Sequence, residues 1–256
     1  MLRALLWDVD GTLAETERYG HLVAFNTAFA EAGLPYRWTA ERYGELLRIA
    51  GGRERLEHDL ALQPDGPKRP LELRHLAEQL HRAKNAAYER IVAAGAIPLR
   101  PGVIELLEDC AAAGLPMGIV TTTSGVNIDV LLRTRLGGDW RSRFAVVVGA
   151  EQAPLKKPDP QAYARALESL DLTARQAVAI EDAPAGVAAA RAAGVPVVVQ
   201  HSFFFPDIDD AGALAAGPSL AYGAGWRAPT DVAADTRISL DLLAAWHASA
   251  TMHAGN

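Results

Sequence analysis

The chain has 256 residues, half of them hydrophobic and 22% charged, with a formal net charge of -6. That composition is ordinary for a globular protein and argues against disorder, while an acidic balance without a Lys/Arg-rich run argues against nucleic acid as a general partner. No stretch approaches the ~20 apolar residues that span a bilayer, and Asp8 arrives before any apolar segment long enough for a signal peptide. A single cysteine, Cys110, excludes an internal disulfide and suits a reducing compartment. A soluble, cytoplasmic protein is expected, with no membrane partner; a monomer is compatible with everything in the sequence.

In chain order, the apolar run 2–7 is the first predicted strand, and it stops at Asp8. The next eighty residues hold no convincing strand. Helical patterns fill them, at 20–33, 40–52 and 73–95, with "QPDGPKRP" at 63–70 a loop because three prolines and a glycine cannot continue a helix. From about 100 to 200 helix and strand alternate. Predicted helices at 102–114, 125–137, 160–172 and 184–194 separate predicted strands at 117–121, 144–148, 177–180 and 196–199. Several of these helices have proline near the start or glycine just past the end. Near-continuous apolarity suits strands covered on both faces of a parallel sheet, so the fold class is α/β and doubly wound. Residues 1–15 and 96–256 are expected to form this core, and 16–95 an inserted α-helical domain. Cys110, in "LLEDCAAAG", reads as a small buried helix residue. The tail beyond 211 is rich in Gly, Ala and Pro and ends in a predicted helix over "SLDLLAAWHASA".

Chemistry enters at "DVDGT". Asp8 and Asp10 stand two positions apart just past a strand, and like charges so close raise each other's proton affinity unless a cation or a hydrogen-bonding cradle holds them. A solvated turn is one reading. A calcium loop is another, and it fails on spacing: counting from Asp8, position six is Leu13 rather than Gly, and position twelve is Tyr19 rather than Glu. A third places both acids at the carboxyl end of a central parallel strand, where α/β ligand sites form. It requires partners at the other strand ends, and the chain supplies them in order. "VTTTS" brings the hydroxyls Thr121, Thr122, Thr123 and Ser124; "LKKPDP" brings Lys156 and Lys157; "AIEDAPAG" brings Glu181 and Asp182. Alone, each could be a β-rich strand end or a solvated turn. Four at successive strand ends point together to a phosphate and a hard cation.

With those pieces in place the chain resembles the haloacid dehalogenase superfamily of phosphotransferases. The resemblance implies a Rossmann-like core with a helical cap inserted after the first strand. "DVDGTLAETE", "AFNTAFAEAGL", "YGELLRIAGGRERL", "LHRAK", "LRPGV" and "TTTS" are similar, more narrowly, to the CbbY family. Its members resemble β-phosphoglucomutase, and characterised ones are phosphatases acting on xylulose 1,5-bisphosphate. Two departures stand out: Arg53 where the family usually has lysine, which changes fork geometry, and Ala183 where it usually has serine.

The resemblance implies a magnesium-dependent sugar-phosphate phosphatase working through an aspartyl-phosphate. It gives Asp8 the role of nucleophile and Asp10 that of acid and base. Lys157 balances charge, and Thr122, in a register uncertain by one residue, holds phosphoryl oxygens. Asp8, the Asp10 backbone carbonyl and Asp182 would hold Mg2+, with Glu181 a further candidate. Thr123 and Ser124 are expected to touch substrate. So are cap residues: Glu17, and the loop-like "GGRER" of Gly51, Gly52, Arg53, Glu54 and Arg55. His21 could face the sugar hydroxyls or equally take a surface or core role, and His81 and Lys84, on a helical face, could be substrate contacts or equally be solvated. A β-phosphoglucomutase-like transferase is the alternative enzyme, and a non-catalytic regulatory relative the alternative from another class.

Overall fold

The computed structural model describes residues 1–49 and 51–253; Ala50, inside the predicted 40–52 segment, lies outside them. The chain divides into two compact units, one of Met1–Glu15 with Pro98–Asn256 and the other of Thr16–Ile97.

The first unit is built on a six-stranded parallel sheet. Its strands are β1 (Ala4–Trp7), β2 (Met117–Val120), β3 (Val146–Val148), β4 (Ala177–Glu181), β5 (Val197–Gln200) and β6 (Ala215–Gly217). They run in the order β3-β2-β1-β4-β5-β6. β1 is therefore central, with Leu5 opposite Met117 on one side and Val178 on the other. Alternate residues face opposite sides of a strand, and both sides are buried here. Ala4, Leu6, Val120, Ala179 and Val199 pack with Tyr163, Ala166 and Val187 in one cluster, while Leu5, Trp7, Ile119, Ile180 and Val198 are equally inaccessible. Double coverage is why the strands read as apolar runs rather than alternating ones.

The helices of this unit take the predicted places, at Val103–Ala112, Gly125–Leu136, Gln161–Leu170, Pro184–Ala192 and Leu240–His253. Cys110 is buried, and burial pushes its thiol up to about 12. β6 was not among the predicted strands. Ala215, Ala216 and Gly217 have little intrinsic preference for a strand, and their neighbours impose one. β6 pairs with β5 on one side, with Val199 opposite Ala216. On the other, Ala216 N–H donates to Arg227 C=O (2.9 Å) and Arg227 N–H to Ala216 C=O (2.8 Å). The Trp226 ring fills the space that a Cβ on Gly217 would need.

The second unit is helical among its described residues. A π-helical turn at Glu17–His21 leads into Leu22–Glu31, followed by Ala40–Leu46, Gly52–Leu62 and Pro70–Ala93. Its centre is aromatic: Trp38 lies 4.6 Å from Phe25, 5.2 Å from Phe29 and 5.9 Å from Tyr43. The buried Asp59 carboxylate accepts from Trp38 Nε1 (2.6 Å) and from Arg42 Nε (2.8 Å) and Nη2 (2.6 Å), which satisfies a charge that would otherwise be costly to bury. The expectation of a loop over "GGRER" is corrected here. Gly51 alone is outside the helix, at φ 104°, and the helix starts at Gly52, so Arg53, Glu54 and Arg55 form its first turn. The two glycines suggested a loop, but only Gly51 adopts the left-handed backbone that needs one.

Arg100 ties the first unit together. Its guanidinium donates to Gly11 C=O (2.6 Å), Gln200 C=O (3.1 Å), His201 C=O (2.6 Å) and Pro218 C=O (3.1 Å), and its Nε lies 3.1 Å from Glu15. One side chain thus fixes the turn after β1 against the ends of β5 and β6. Replacing it strands several buried acceptors, so Arg100→Met is expected to lose about 3–5 kcal/mol in urea unfolding. Ala183 offers the converse test. It sits at the N-cap of Pro184–Ala192 with extended backbone (φ -114°, ψ 148°) and no side-chain acceptor. Ala183→Ser is expected to gain about 1 kcal/mol in the same measurement.

Candidate active site

Parallel pairing aligns the carboxyl ends of the strands, and the acids arrive there by position alone. Asp8 is the first residue past β1, and its N–H donates to Ile180 C=O (3.1 Å), continuing the ladder to β4. Glu181 ends β4 and Asp182 follows it. Asp8, Glu181 and Asp182 are all buried, and one oxygen from each lies within 4.8 Å of the others.

Lys157 reaches into this group from the segment before Gln161–Leu170. Its ammonium donates to Asp8 Oδ1 (2.7 Å), Glu181 Oε1 (2.6 Å) and Val120 C=O (2.8 Å), which uses all three of its protons. Lys156 next to it is exposed. Burial alone would lower the proton affinity of Lys157, but Asp8 and Glu181 more than offset it and hold the group above its ordinary range, firmly charged. Asp8 shifts the other way from a usual paired carboxylate. Burial raises its pKa well above the ordinary value, and Glu181, Asp182 and Asp10 add to this, against the opposing pull of Lys157. One ammonium is too little positive charge for this many acids.

That imbalance and the donor chemistry fit a hard divalent cation, because every side chain of the cluster offers oxygen. The backbone leaves room beside it. Gly11 has φ +84°, and a Cβ there would overlap Asp182 Oδ2. Thr12 Oγ1 donates to Asp182 Oδ1 (3.3 Å), and Tyr163 OH donates to Glu181 Oε1, the same oxygen that Lys157 holds.

The hydroxyl run follows β2. Thr121 is buried, and Thr122 is exposed with no hydrogen bond among the described residues. Ser124 is the N-cap of Gly125–Leu136 but makes no side-chain cap bond. Thr123 donates from Oγ1 to Asp10 Oδ2. The structure therefore bonds Lys157 to Asp8 and Glu181 with Asp182 beside them, and bonds Thr123 to Asp10, whose charge is felt at Asp8.

The cap candidates are placed within their own unit. Tyr43 OH donates to Glu17. Arg55 donates from Nε to Ile49 C=O (2.9 Å), with its guanidinium 5.9 Å from the Tyr43 ring centre. Arg53 pairs with Glu54 (3.2 Å) and Glu57 (3.5 Å). The Glu54 carboxylate folds over Gly51, and Gly52 lies against the His81 ring. Lys84 is buried rather than solvated: its ammonium is 2.9 Å from His21 Nδ1 and 5.0 Å from the centre of the Tyr88 ring, on which His21 stacks at 4.2 Å.

Tyr163 did not stand out in the sequence, nor did Arg100 beyond its place in "LRPGV". Their partners are 18 and 89 positions away in the chain, too distant for a local pattern to show.

The family model described as haloacid dehalogenase-like hydrolase matches residues 2–194. The protein CbbY (plasmid) of Cupriavidus necator is 45% identical over 219 residues, 86% of each chain. A solved mutant of CbbY from Rhodobacter sphaeroides, in complex with xylulose 1,5-bisphosphate, is 38% identical at a TM-score of 0.77 and covers 88% of this chain and 97% of its own. The same protein in complex with phosphate is 39% identical at a TM-score of 0.73, covering 83% of this chain and 92% of its own. Taken with the sheet order and the buried acids, these matches settle the family: the chain belongs to the haloacid dehalogenase-like hydrolases and, among them, to the CbbY proteins.

Proposed function

We propose that this hydrolase is a magnesium-dependent phosphatase that converts xylulose 1,5-bisphosphate to xylulose 5-phosphate. The observation that carries the reading is the buried ammonium of Lys157 bonded to Asp8 at the end of the central strand, with Asp182 beside it. The choice of sugar rests on the CbbY relative in complex with xylulose 1,5-bisphosphate.

Asp8 is the nucleophile. Its carboxylate oxygen attacks phosphorus in line as the bond from phosphorus to the sugar oxygen breaks, leaving an aspartyl-phosphate. Asp10 donates a proton to the departing sugar oxygen. It then takes a proton from the water that attacks the same phosphorus, which releases phosphate and restores Asp8. Lys157 keeps Asp8 oriented and balances charge through both steps. Thr122, whose hydroxyl is not committed to another described residue, is assigned to the phosphoryl oxygens.

Asp8, the Asp10 backbone carbonyl and Asp182 would hold the metal. When bound, Mg2+ offsets the repulsion between an anionic nucleophile and an anionic phosphoryl group. Glu181 is assigned mainly to Lys157, because that lysine and Tyr163 already share one of its oxygens. Binding of the second phosphate is assigned to Arg53 and Arg55 of the cap, contact with the sugar hydroxyls to Glu17, and a further substrate contact to His81.

A phosphate-release screen over pentose and hexose mono- and bisphosphates tests the substrate. The ketopentose bisphosphate is expected to lead in kcat/KM; release slower than conversion of glucose 1-phosphate to its 6-isomer would make the chain a mutase instead. Asp8→Asn is expected to lose activity by roughly 10⁴-fold or more, as loss of a covalent nucleophile does elsewhere. Removing metal with a chelator is expected to abolish turnover and added Mg2+ to restore it; full activity in the chelator would refute the metal assignment.

A further inference from the structure

Thr123 falls among the hydroxyls that the sequence assigns to substrate, yet its side chain is engaged elsewhere. Its Oγ1 donates to Asp10 Oδ2, across 113 positions of chain. Its main chain is held by two hydrogen bonds. Thr123 N–H donates to Thr121 Oγ1 (3.2 Å), and Thr123 C=O accepts from Ala150 N–H (3.0 Å). Glycine at 149 permits the close approach on that side, because a Cβ there would stand 2.9 Å from the Thr123 carbonyl oxygen. Just beyond, Gly125 N–H donates to both oxygens of Glu151 (3.2 and 3.0 Å). The loop after β3 thus grips the loop after β2, and the gripped residue directs its hydroxyl at the acid.

We infer that Thr123 is a positioning residue for Asp10 and that its hydroxyl takes no part in holding the phosphoryl group. A carboxyl group turns about its terminal torsion with little resistance. A hydroxyl fixed to one of its oxygens sets the plane of the group, so the other oxygen presents its proton in one direction. Proton transfer to a leaving oxygen needs a heavy-atom distance of about 2.6–3.2 Å, so this alignment decides how well Asp10 can act. Thr122, exposed and with no hydrogen bond among the described residues, is left to meet the phosphoryl oxygens. The inference rests on the acid–base role proposed for Asp10.

The test compares two leaving groups. A sugar alkoxide needs a proton as it departs, whereas the p-nitrophenolate of p-nitrophenyl phosphate does not. kcat/KM reports the steps through transfer to Asp8, so the later hydrolysis of the aspartyl-phosphate does not blur the comparison. Thr123→Val is expected to lower kcat/KM on the sugar bisphosphate by about 10- to 100-fold, part of the 10²–10⁴ that a general acid contributes. The aryl ester should fall by less than about threefold, the inhibition constant of inorganic phosphate should hold, and Thr123→Ser should restore the loss.

A parallel fall on both esters with weaker phosphate inhibition would make Thr123 a phosphate ligand and overturn the inference. So would no fall on either ester. If the valine variant fails to fold, Thr123→Ala read against Thr123→Ser gives the same comparison. Asp10→Asn, run alongside, separates the two levels. If it shows no difference between the esters, the acid role of Asp10 fails and this inference with it. If it shows the difference and Thr123→Val does not, the inference alone fails.

Discussion

The buried contact between Lys157 and Asp8 constrains the rest of the first unit. An ammonium and carboxylates out of water are costly unless each is paired and hydrogen-bonded. Here the three protons of Lys157 go to Asp8, Glu181 and the Val120 carbonyl, which belong to or directly follow three adjacent strands. The contact therefore requires β2, β1 and β4 to end level with one another, as their parallel registers provide. It also explains Tyr163, whose hydroxyl satisfies the Glu181 oxygen already shared with Lys157. Breaking a pair of this kind leaves an uncompensated charge inside the protein, so the site and the sheet are not separable in energy.

Two acids of the same type, two residues apart, acquire different surroundings from this arrangement. Asp8 is buried against a fixed cation and other carboxylates, so its chemistry follows the local charge balance. Asp10 is bonded to the neutral hydroxyl of Thr123. In the roles proposed for them, Asp8 as nucleophile profits from a rigid ion pair, whereas Asp10 as proton carrier profits from a partner that aligns it without owning its charge.

The sheet was legible because burial on both faces turns a strand into a short apolar run, and five of the six strands carry that mark. The sixth does not. Ala215, Ala216 and Gly217 form a strand because their neighbours pair with them, and such context leaves no local signal. The opposite error occurred at Gly51 and Gly52, where two glycines suggested a loop and the backbone needs only the first of them outside the helix. At the site, Asp8, Asp10, Lys157 and Asp182 could be picked out because each follows or precedes a recognisable strand or proline. Tyr163 and Arg100 could not, because each is defined by a partner far along the chain rather than by its neighbours. The hydroxyl run was visible as a group, but the direction of each hydroxyl depends on loops contributed by β3 and is a property of the folded chain alone.

The pairing of Ala216 with Arg227 has a consequence away from catalysis. An open sheet leaves unpaired N–H and C=O groups along its outermost strands, and these recruit further strands into aggregates. In this chain both outermost strands, β3 and β6, are only three residues long. One of them is also sealed, since the antiparallel turn back at Arg227 takes up the outward hydrogen-bonding groups of Ala216 and Trp226 blocks the face at Gly217. The alanine- and glycine-rich tail, silent as to chemistry, thereby protects a sheet of valines and isoleucines from self-association.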